Sequence, residues 1–161
     1  MKKVQRITGN VKKLSGMTVI LEGATVDVLE NCHVMEVMES SIGEVSNSII
    51  EVVRHSEIGT LSGFAAIRLA TDQTLIRNMG DNTRIGILDR GSIVQVASGY
   101  SVIDLVADDS IISEIYDHCL VLKLIGKAQV CQAFQETRIL EVTGGARVAH
   151  LYDQAKVLSL A

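Results

Sequence analysis

The feature of this sequence that most constrains its fold is a nine-residue repeat that begins at Ile58 and continues to Val157. Side chains two residues apart on a β-strand point to the same side, and β-branched residues favour strands. A small residue stands two positions before each of the last eleven repeat positions, and an apolar residue stands three positions after all of them. A helix of 3.6-residue period cannot hold this phase, so the spacing predicts short strands. The twelve repeat positions hold only Ile or Val: Ile58, Ile67, Ile76, Ile85, Val94, Ile103, Ile112, Val121, Val130, Ile139, Val148 and Val157.

The repeats are separated by residues that favour tight turns. Asp72-Gln73, Asp81-Asn82 and Gly99-Tyr100 are examples, and Asp, Asn and Gly tolerate the backbone conformations that short corners require. Short strands that alternate with short corners are typical of a parallel β-solenoid. The sequence therefore predicts an all-β chain whose nine-residue repeats wind into a parallel β-helix.

The length of one coil follows from side chains that recur at every second repeat. Aromatic residues stand at Tyr116, Phe134 and Tyr152, with other residue types at the intervening repeats. Stacked coils place equivalent residues about 4.8 Å apart, where like side chains can contact one another. We therefore predict two repeats in each 18-residue coil, roughly nine coils, and a rod about 43 Å long.

The chain is predicted to form one domain, residues 1–161, with two parts. Residues 58–161 are regular, whereas the N-terminal coils of residues 1–57 are irregular and charged. The apolar positions Val26, Val34, Ile42, Ile49 and Ile58 are spaced by eight, eight, seven and nine residues. A functional site is expected where the sequence departs locally from an otherwise regular repeat spacing.

Charge in the irregular part is strongly segregated. Residues 1–21 carry Lys2, Lys3, Arg6, Lys12 and Lys13 with no acidic residue, whereas residues 22–57 carry eight acidic residues against Arg54. A block of this kind is usually an ordinary solvated face, and a binding surface is the alternative. The binding hypothesis places a basic groove of a partner protein against Glu30, Glu36, Glu39, Glu44 and Glu51.

Units such as GATVDVLEN (residues 23–31) resemble the octa- and nonapeptide repeats of the NATV type, found in phage-encoded and gut-bacterial proteins. The resemblance implies a β-solenoid over most of the chain. It also implies that the protein binds and inhibits a host enzyme, as an anti-CRISPR or other anti-defence protein does. The calcium-binding RTX roll shares the period of nine but needs GGxGxD loops, and this chain lacks a GGxG sequence.

Residues suited to catalysis or metal binding are not arranged for either. His33 follows Cys32, and His118 precedes Cys119, but Cys119 stands at a small inward position of the repeat. The corner Asp residues are explained as turn formers, and corners of two or three residues leave no room for a substrate cleft. We expect no enzyme activity, no catalytic residue, no metal site and no cofactor.

Composition restricts where such a protein works. The N-terminus lacks the apolar segment of a signal peptide, and no stretch is long and apolar enough for a transmembrane helix. Three cysteines without a CxxC pair favour a reducing compartment. We therefore expect a cytoplasmic protein, in the host cytoplasm if it is phage-encoded. The net charge of −4 argues against direct nucleic-acid binding.

Outward apolar residues suggest two interfaces. Leu69, Ile87 and Leu105 recur at every second repeat and are expected either to contact a partner or to fill a second core pocket. The last repeat carries core residues with no cap after them, which predicts a homodimer through the C-terminal coil. The residues predicted for the dimer interface are Leu140, Tyr152, Val157, Leu158 and Leu160.

The sequence therefore favours a non-enzymatic β-solenoid that binds and occludes a host defence or nucleic-acid enzyme. The alternative is a structural or assembly module of a virion or filament. A carbohydrate-active β-helix enzyme is a more remote alternative.

Overall fold

A computed structural model describes residues 3–161, which form seventeen parallel strands and, within that range, no helix. The predicted all-β parallel solenoid is confirmed. From β2 onward each strand pairs with the strand two further along the chain, so two strands make one coil. The strands are β1 (Gln5–Ser15), β2 (Thr18–Glu30), β3 (His33–Met38), β4 (Ser41–Ser46), β5 (Ile49–Arg54), β6 (Glu57–Ser62), β7 (Ala66–Thr71), β8 (Leu75–Met79), β9 (Arg84–Leu88), β10 (Ile93–Ala97), β11 (Val102–Val106), β12 (Ile111–Ile115), β13 (Leu120–Leu124), β14 (Gln129–Ala133), β15 (Arg138–Val142), β16 (Arg147–Leu151) and β17 (Lys156–Leu160).

The solenoid has two flat faces. We call the odd-numbered strands β3 to β17 the front face and the even-numbered strands β4 to β16 the back face. The longer strands β1 and β2 each cover both faces, because the N-terminal half of β2 pairs with β3 and its C-terminal half with β4. Gly9 and Gly23, both at positive φ, mark the points where these two strands turn from the front face to the back face.

The core is a stack of branched aliphatic side chains. In the strands β6 to β15 the second and fifth residues point inward and are buried, as in β10, where Val94 and Ala97 are fully buried. Val94 pairs with Ile112 of the next coil and with Ile76 of the previous one, which stand two repeats away in either direction. The predicted coil of two repeats is therefore confirmed from Ile58 onward.

The N-terminal coils are narrower, and they are more regular than the sequence indicated. The sequence separation between a residue and its partner in the next coil increases along the chain. Gln5 pairs with Val19, Val34 with Ile50, and Ile58 with Ile76. The prediction that Ile49 is a core position is wrong, because Ile49 is 44% exposed and Ile50 is fully buried. The buried series therefore runs at a constant spacing of eight from Val26 to Ile58, and the solenoid widens where the spacing becomes nine.

Side chains at the corners bind the backbone of the neighbouring coil. Asp117, at a φ of 59°, accepts a hydrogen bond at 2.9 Å from the amide of Gly99 in the coil before it. Gln135, at a φ of 54°, accepts one at 2.6 Å from the amide of Asp117. Asp and Gln at these corners therefore satisfy amides that the left-handed turns would otherwise leave unpaired.

The aromatic residues predicted to stack do so on the outside of the last three coils. The ring of Phe134 lies 4.7 Å from that of Tyr116 and 4.8 Å from that of Tyr152, centroid to centroid, and both pairs are nearly parallel. The Tyr116 hydroxyl donates to Glu114, and that hydrogen bond raises the pKa of Tyr116 above its ordinary value of 10.0.

Candidate functional site

Several large apolar side chains are exposed to solvent. Those that are not near either end of the described chain all lie on one side of the solenoid. Met35, Ile49 and Ile87 lie on the front face and are 40%, 44% and 38% exposed. Phe64 and Tyr100 are 74% and 62% exposed and occupy the corner that leads from the back face into the front face. Contiguous exposed apolar residues of this kind mark binding surfaces.

A groove of about 580 Å³ runs across the strands β5, β7, β9 and β11 at the centre of this surface. Ile49 and Ala66 line one side of the groove, and Ile87 and Leu105 line the other. Between them the floor is the bare backbone of Gly86. The groove is open and apolar, so it suits protruding side chains of another molecule better than a small enclosed ligand.

Gly86 is required where it stands because the backbone of the previous coil approaches closely. A Cβ atom at this position would lie 2.6 Å from the carbonyl oxygen of Arg68. Only glycine fits that approach, and its lack of a side chain leaves the outer surface hollow. The close packing of the coils therefore produces the groove.

Two ion pairs border the groove. Arg84 donates to Asp104 Oδ2 from Nε at 3.1 Å and from Nη2 at 2.8 Å. Arg68 Nε lies 3.0 Å from Glu51 Oε2. Both arginine side chains remain well exposed, at 71% for Arg68 and 59% for Arg84, so their remaining N–H groups face solvent. The groove thus combines apolar walls with polar donors at its edge.

The structure brings together the apolar residues that the sequence singled out. Leu69 pairs with Ile87, and Ile87 pairs with Leu105, at one position of three successive front-face strands. Val52 extends this row by one coil, because it pairs with Leu69. Leu69 and Leu105 are half-buried, and Ile87 is exposed.

Sequence reasoning missed four members of this surface, Met35, Ile49, Phe64 and Tyr100. The sequence pattern places Ile49 in the core, because either of two adjacent isoleucines fits it. Phe64 and Tyr100 stand at corner positions, which the repeat assigns to turns. A usable signal was present, since large aromatic side chains have no packing reason to occupy an exposed corner of three or four residues.

The five glutamates of the predicted acidic surface do not form one patch. Glu36 and Glu51 lie on the front face and Glu44 on the back face, whereas Glu30 ends β2 and Glu39 occupies a corner. Basic residues from neighbouring coils pair with three of them. Lys13 lies 2.7 Å from Glu30, Arg54 lies 3.0 Å from Glu36, and both Arg68 and His33 contact Glu51.

The basic N-terminal segment takes part in the same neutralisation. Arg6 forms an ion pair with Glu22, and the contact with Glu30 raises the pKa of Lys13 above its ordinary value. Lys2, another basic residue of this segment, lies outside the described residues. The charge segregation of the sequence is therefore reduced in the fold, because the coil spacing places acidic and basic residues side by side.

The residues predicted for a dimer interface lie around the last coil. Leu158 and Leu160 are 56% and 78% exposed, and Tyr152 is 43% exposed. Val157 and Leu140 are half-buried. Leu140 and Leu158 share one position of the front face with Leu122, adjacent to the row of Leu69, Ile87 and Leu105.

Cysteine and histidine side chains are dispersed. Within residues 3–161, no three His, Cys, Asp or Glu side chains are grouped so that they could hold a metal ion. Cys32 and Cys119 are buried in the core, and burial raises the pKa of the Cys119 thiol to about 12. Both thiols are therefore packing residues of the corner stack. No helix among the described residues has the length and apolar character needed to cross a membrane.

Comparison of the chain with protein-family models, with curated proteins and with solved structures found no match.

Proposed function

We propose that this protein is a non-enzymatic β-solenoid that binds another protein through its front face. One observation carries the proposal: the large apolar side chains exposed between the two ends, Met35, Ile49, Phe64, Ile87 and Tyr100, lie on that face or on the corner that leads into it. Exposed apolar side chains are scattered when they have no role, and they cluster at interfaces.

The chemistry of this surface is that of a protein interface. Aromatic side chains are enriched at interfaces because they bury a large area at a low cost in conformational entropy. Phe64 and Tyr100 stand at the rim of the front face, and the groove floored by Gly86 lies between the apolar rows. The parallel sheet holds the backbone of the front-face residues Ile49 and Ile87 in place, which reduces the entropy lost on binding.

The finer proposal is that the bound partner is a host defence or nucleic-acid enzyme and that binding blocks its working surface. Its support is the resemblance of the repeats to the NATV type of phage-encoded and gut-bacterial proteins. The three free cysteines support a reducing compartment such as the cytoplasm. A rigid rod about 43 Å long is large enough to cover a substrate channel.

A capture experiment tests the proposed interface. The tagged protein, its Ile87→Ser variant and its Val96→Ser variant are each used to retain proteins from a bacterial lysate, followed by mass spectrometry. Val96 is the matched control because it occupies the same coil and the same strand position as Ile87, but on the back face. A partner retained by the wild type and by Val96→Ser, and lost with Ile87→Ser, supports the proposal. Equal retention by both variants contradicts it.

A further inference from the structure

We infer that the front-face groove accepts an acidic, amphipathic segment of the partner protein. This inference rests on the proposed function and reverses the charge that the sequence suggested for the partner. The glutamates that suggested a basic partner are dispersed over two faces and corners, and three of them are paired within the chain.

The charge of the groove region is the first argument. We define the groove strip as the first and third residues of each front-face strand from β3 to β17. Beside the groove itself, Arg68 and Arg84 are matched by the carboxylates Glu51 and Asp104. Further along the groove strip, Arg138 and Lys156 add two positive charges without a carboxylate, so the groove strip as a whole has an excess of two positive charges on a chain whose net charge is −4. A partner segment that lies on it is favoured when it carries carboxylates.

The second argument is the hydrogen-bonding capacity that the arginines retain. Arg84 uses Nε and Nη2 on Asp104, and Arg68 contacts Glu51 through Nε. A guanidinium has five N–H donors, so both arginines keep donors for a further carboxylate. Arg138 and Lys156 form no ion pair within the described part of the chain.

The third argument is the alternation of these cations with apolar residues. Arg84 pairs with Ala66 on one side and with Val102 on the other, and Ile87 lies three residues along the same strand. Arg138 pairs with Leu120. A segment whose apolar side chains enter the groove therefore places its neighbouring carboxylates against guanidinium groups, where charge-assisted hydrogen bonds form.

A selection from a random peptide library displayed on phage tests the inference on the wild-type protein. We expect enriched peptides in which apolar residues alternate with Asp or Glu. A synthetic enriched peptide, followed by fluorescence anisotropy, should bind about tenfold more tightly than its version with Lys in place of the acidic residues. The Arg84→Glu variant should lose this preference, whereas Arg77→Glu should keep it. Arg77 is the matched control because it is also exposed and paired with a carboxylate, Glu57, but lies on the back face.

The inference is wrong if the selection enriches no peptides, or if it enriches basic or uncharged ones. It is also wrong if the acidic and Lys peptides bind equally well, or if the Arg84→Glu variant behaves as the wild type. A labelled DNA duplex that binds the wild type and not Arg84→Glu would assign the groove strip to phosphate instead. An Ile87→Ser variant with a smaller mass than the wild type in light scattering would assign it to a second copy of the chain.

These failures are distinguishable from a failure of the proposed function. The selection could instead enrich uncharged or basic peptides whose binding is lost in Ile87→Ser and kept in Val96→Ser. In that case the front face remains a protein-binding surface, and only its preference for acidic segments is contradicted. Selected peptides that bind Ile87→Ser as well as the wild type would contradict the proposed function itself.

Discussion

The amide of Cys32 donates a hydrogen bond to the Oγ of Ser48 in the next coil, over a distance of 3.0 Å. The same hydroxyl donates to the carbonyl of Ser46 at 2.8 Å, so one buried side chain joins two coils and closes its own corner. Ser40 and Ser56 make the same pair of bonds. These serines lie in the N-terminal coils, where corners of two residues replace the mostly four-residue corners of the nine-residue repeats.

The Ser48→Ala variant tests how much these corners depend on the hydroxyl. The substitution leaves the buried amide of Cys32 without a partner, whereas the carbonyl of Ser46 keeps its hydrogen bond from the Asn31 amide at 3.2 Å. We expect the free energy of unfolding to fall by about 1–3 kcal/mol, measured by urea denaturation. Ser41→Ala is the control, because Ser41 is exposed and a surface change of this kind usually alters stability by less than about 0.5 kcal/mol. Equal stability of the two variants would contradict the role given to Ser48.

The Gly59→Ala variant tests the close approach of neighbouring coils on the back face. A Cβ atom on Gly59 would lie 2.4 Å from the carbonyl oxygen of Gly43. Because that atom belongs to the backbone, the coils must move apart, and we expect a loss of about 1–3 kcal/mol in the free energy of unfolding. In Gly80→Ala the nearest atom would be Ser98 Oγ at 3.4 Å, so that variant should unfold close to the wild type. If Gly59→Ala is as stable as Gly80→Ala, the neighbouring coils accommodate the added methyl group and the close approach is not required.

The fold was predictable because one period controls it, whereas the groove depends on contacts that the period does not specify. The Ile and Val columns fix the inward positions once two repeats are assigned to a coil. Ile49 and Ile50 fit that pattern equally well, and only the length of the corner decides which one is buried. Likewise, Arg54 and Glu36 lie on different strands and meet because the coil length brings them into contact.

Gly86 shows the same limit for the site. In the sequence it is a glycine within a strand, which is a weakening feature with several explanations. Its meaning depends on the distance to the Arg68 carbonyl, and that distance follows from the stacking of two complete coils. The sequence pattern therefore does not predict this hollow, although it does predict that Ile87 beside it points outward.

Reversal of Glu51, an acidic residue that is paired within the fold, should reduce the stability of the protein. Glu51 lies 2.7 Å from His33 and 3.0 Å from Arg68, and its side chain is 20% exposed. The Glu51→Lys variant removes both contacts and places a positive charge beside Arg68, so we expect it to lose about 1 kcal/mol in low salt and less in high salt. Glu39→Lys is the control, since Glu39 is an exposed corner residue. If both variants lose the same amount, or if salt has no influence, the ion pairs do not contribute to stability.

Alkaline pH should destabilise the protein partly through Cys119. Burial raises the pKa of its thiol from 9.0 to about 12, so the thiol ionises in the unfolded chain at a lower pH than in the folded chain. Its contribution is fully present below pH 9 and is lost as the pH rises from 9 towards 12. Urea midpoints measured across this range should fall less steeply in Cys119→Ala, because Ala128 and Ala155 show that alanine fits this corner position. Parallel pH profiles of the two proteins would contradict the assignment.

For the 161-residue chain we propose a homodimer formed through the C-terminal coil. Leu158 and Leu160 are 56% and 78% exposed there, and Tyr152 at the end of the aromatic stack is 43% exposed. Association of one chain's N-terminal coil with another's C-terminal coil would set the shortest coil against a full-length one, so few strands could pair. Contact of two C-terminal coils across a two-fold axis joins coils of equal size and closes the assembly.

Light scattering on the wild type and on a Leu158→Lys, Leu160→Lys double variant measures this association. We expect a dimer for the wild type and a monomer for the variant, because charged side chains on an open edge prevent pairing. An Ile87→Ser protein that remains dimeric would separate this contact from the front-face groove. A wild type that is monomeric at tens of micromolar would remove the proposal, since an edge with this much exposed apolar surface should already associate there.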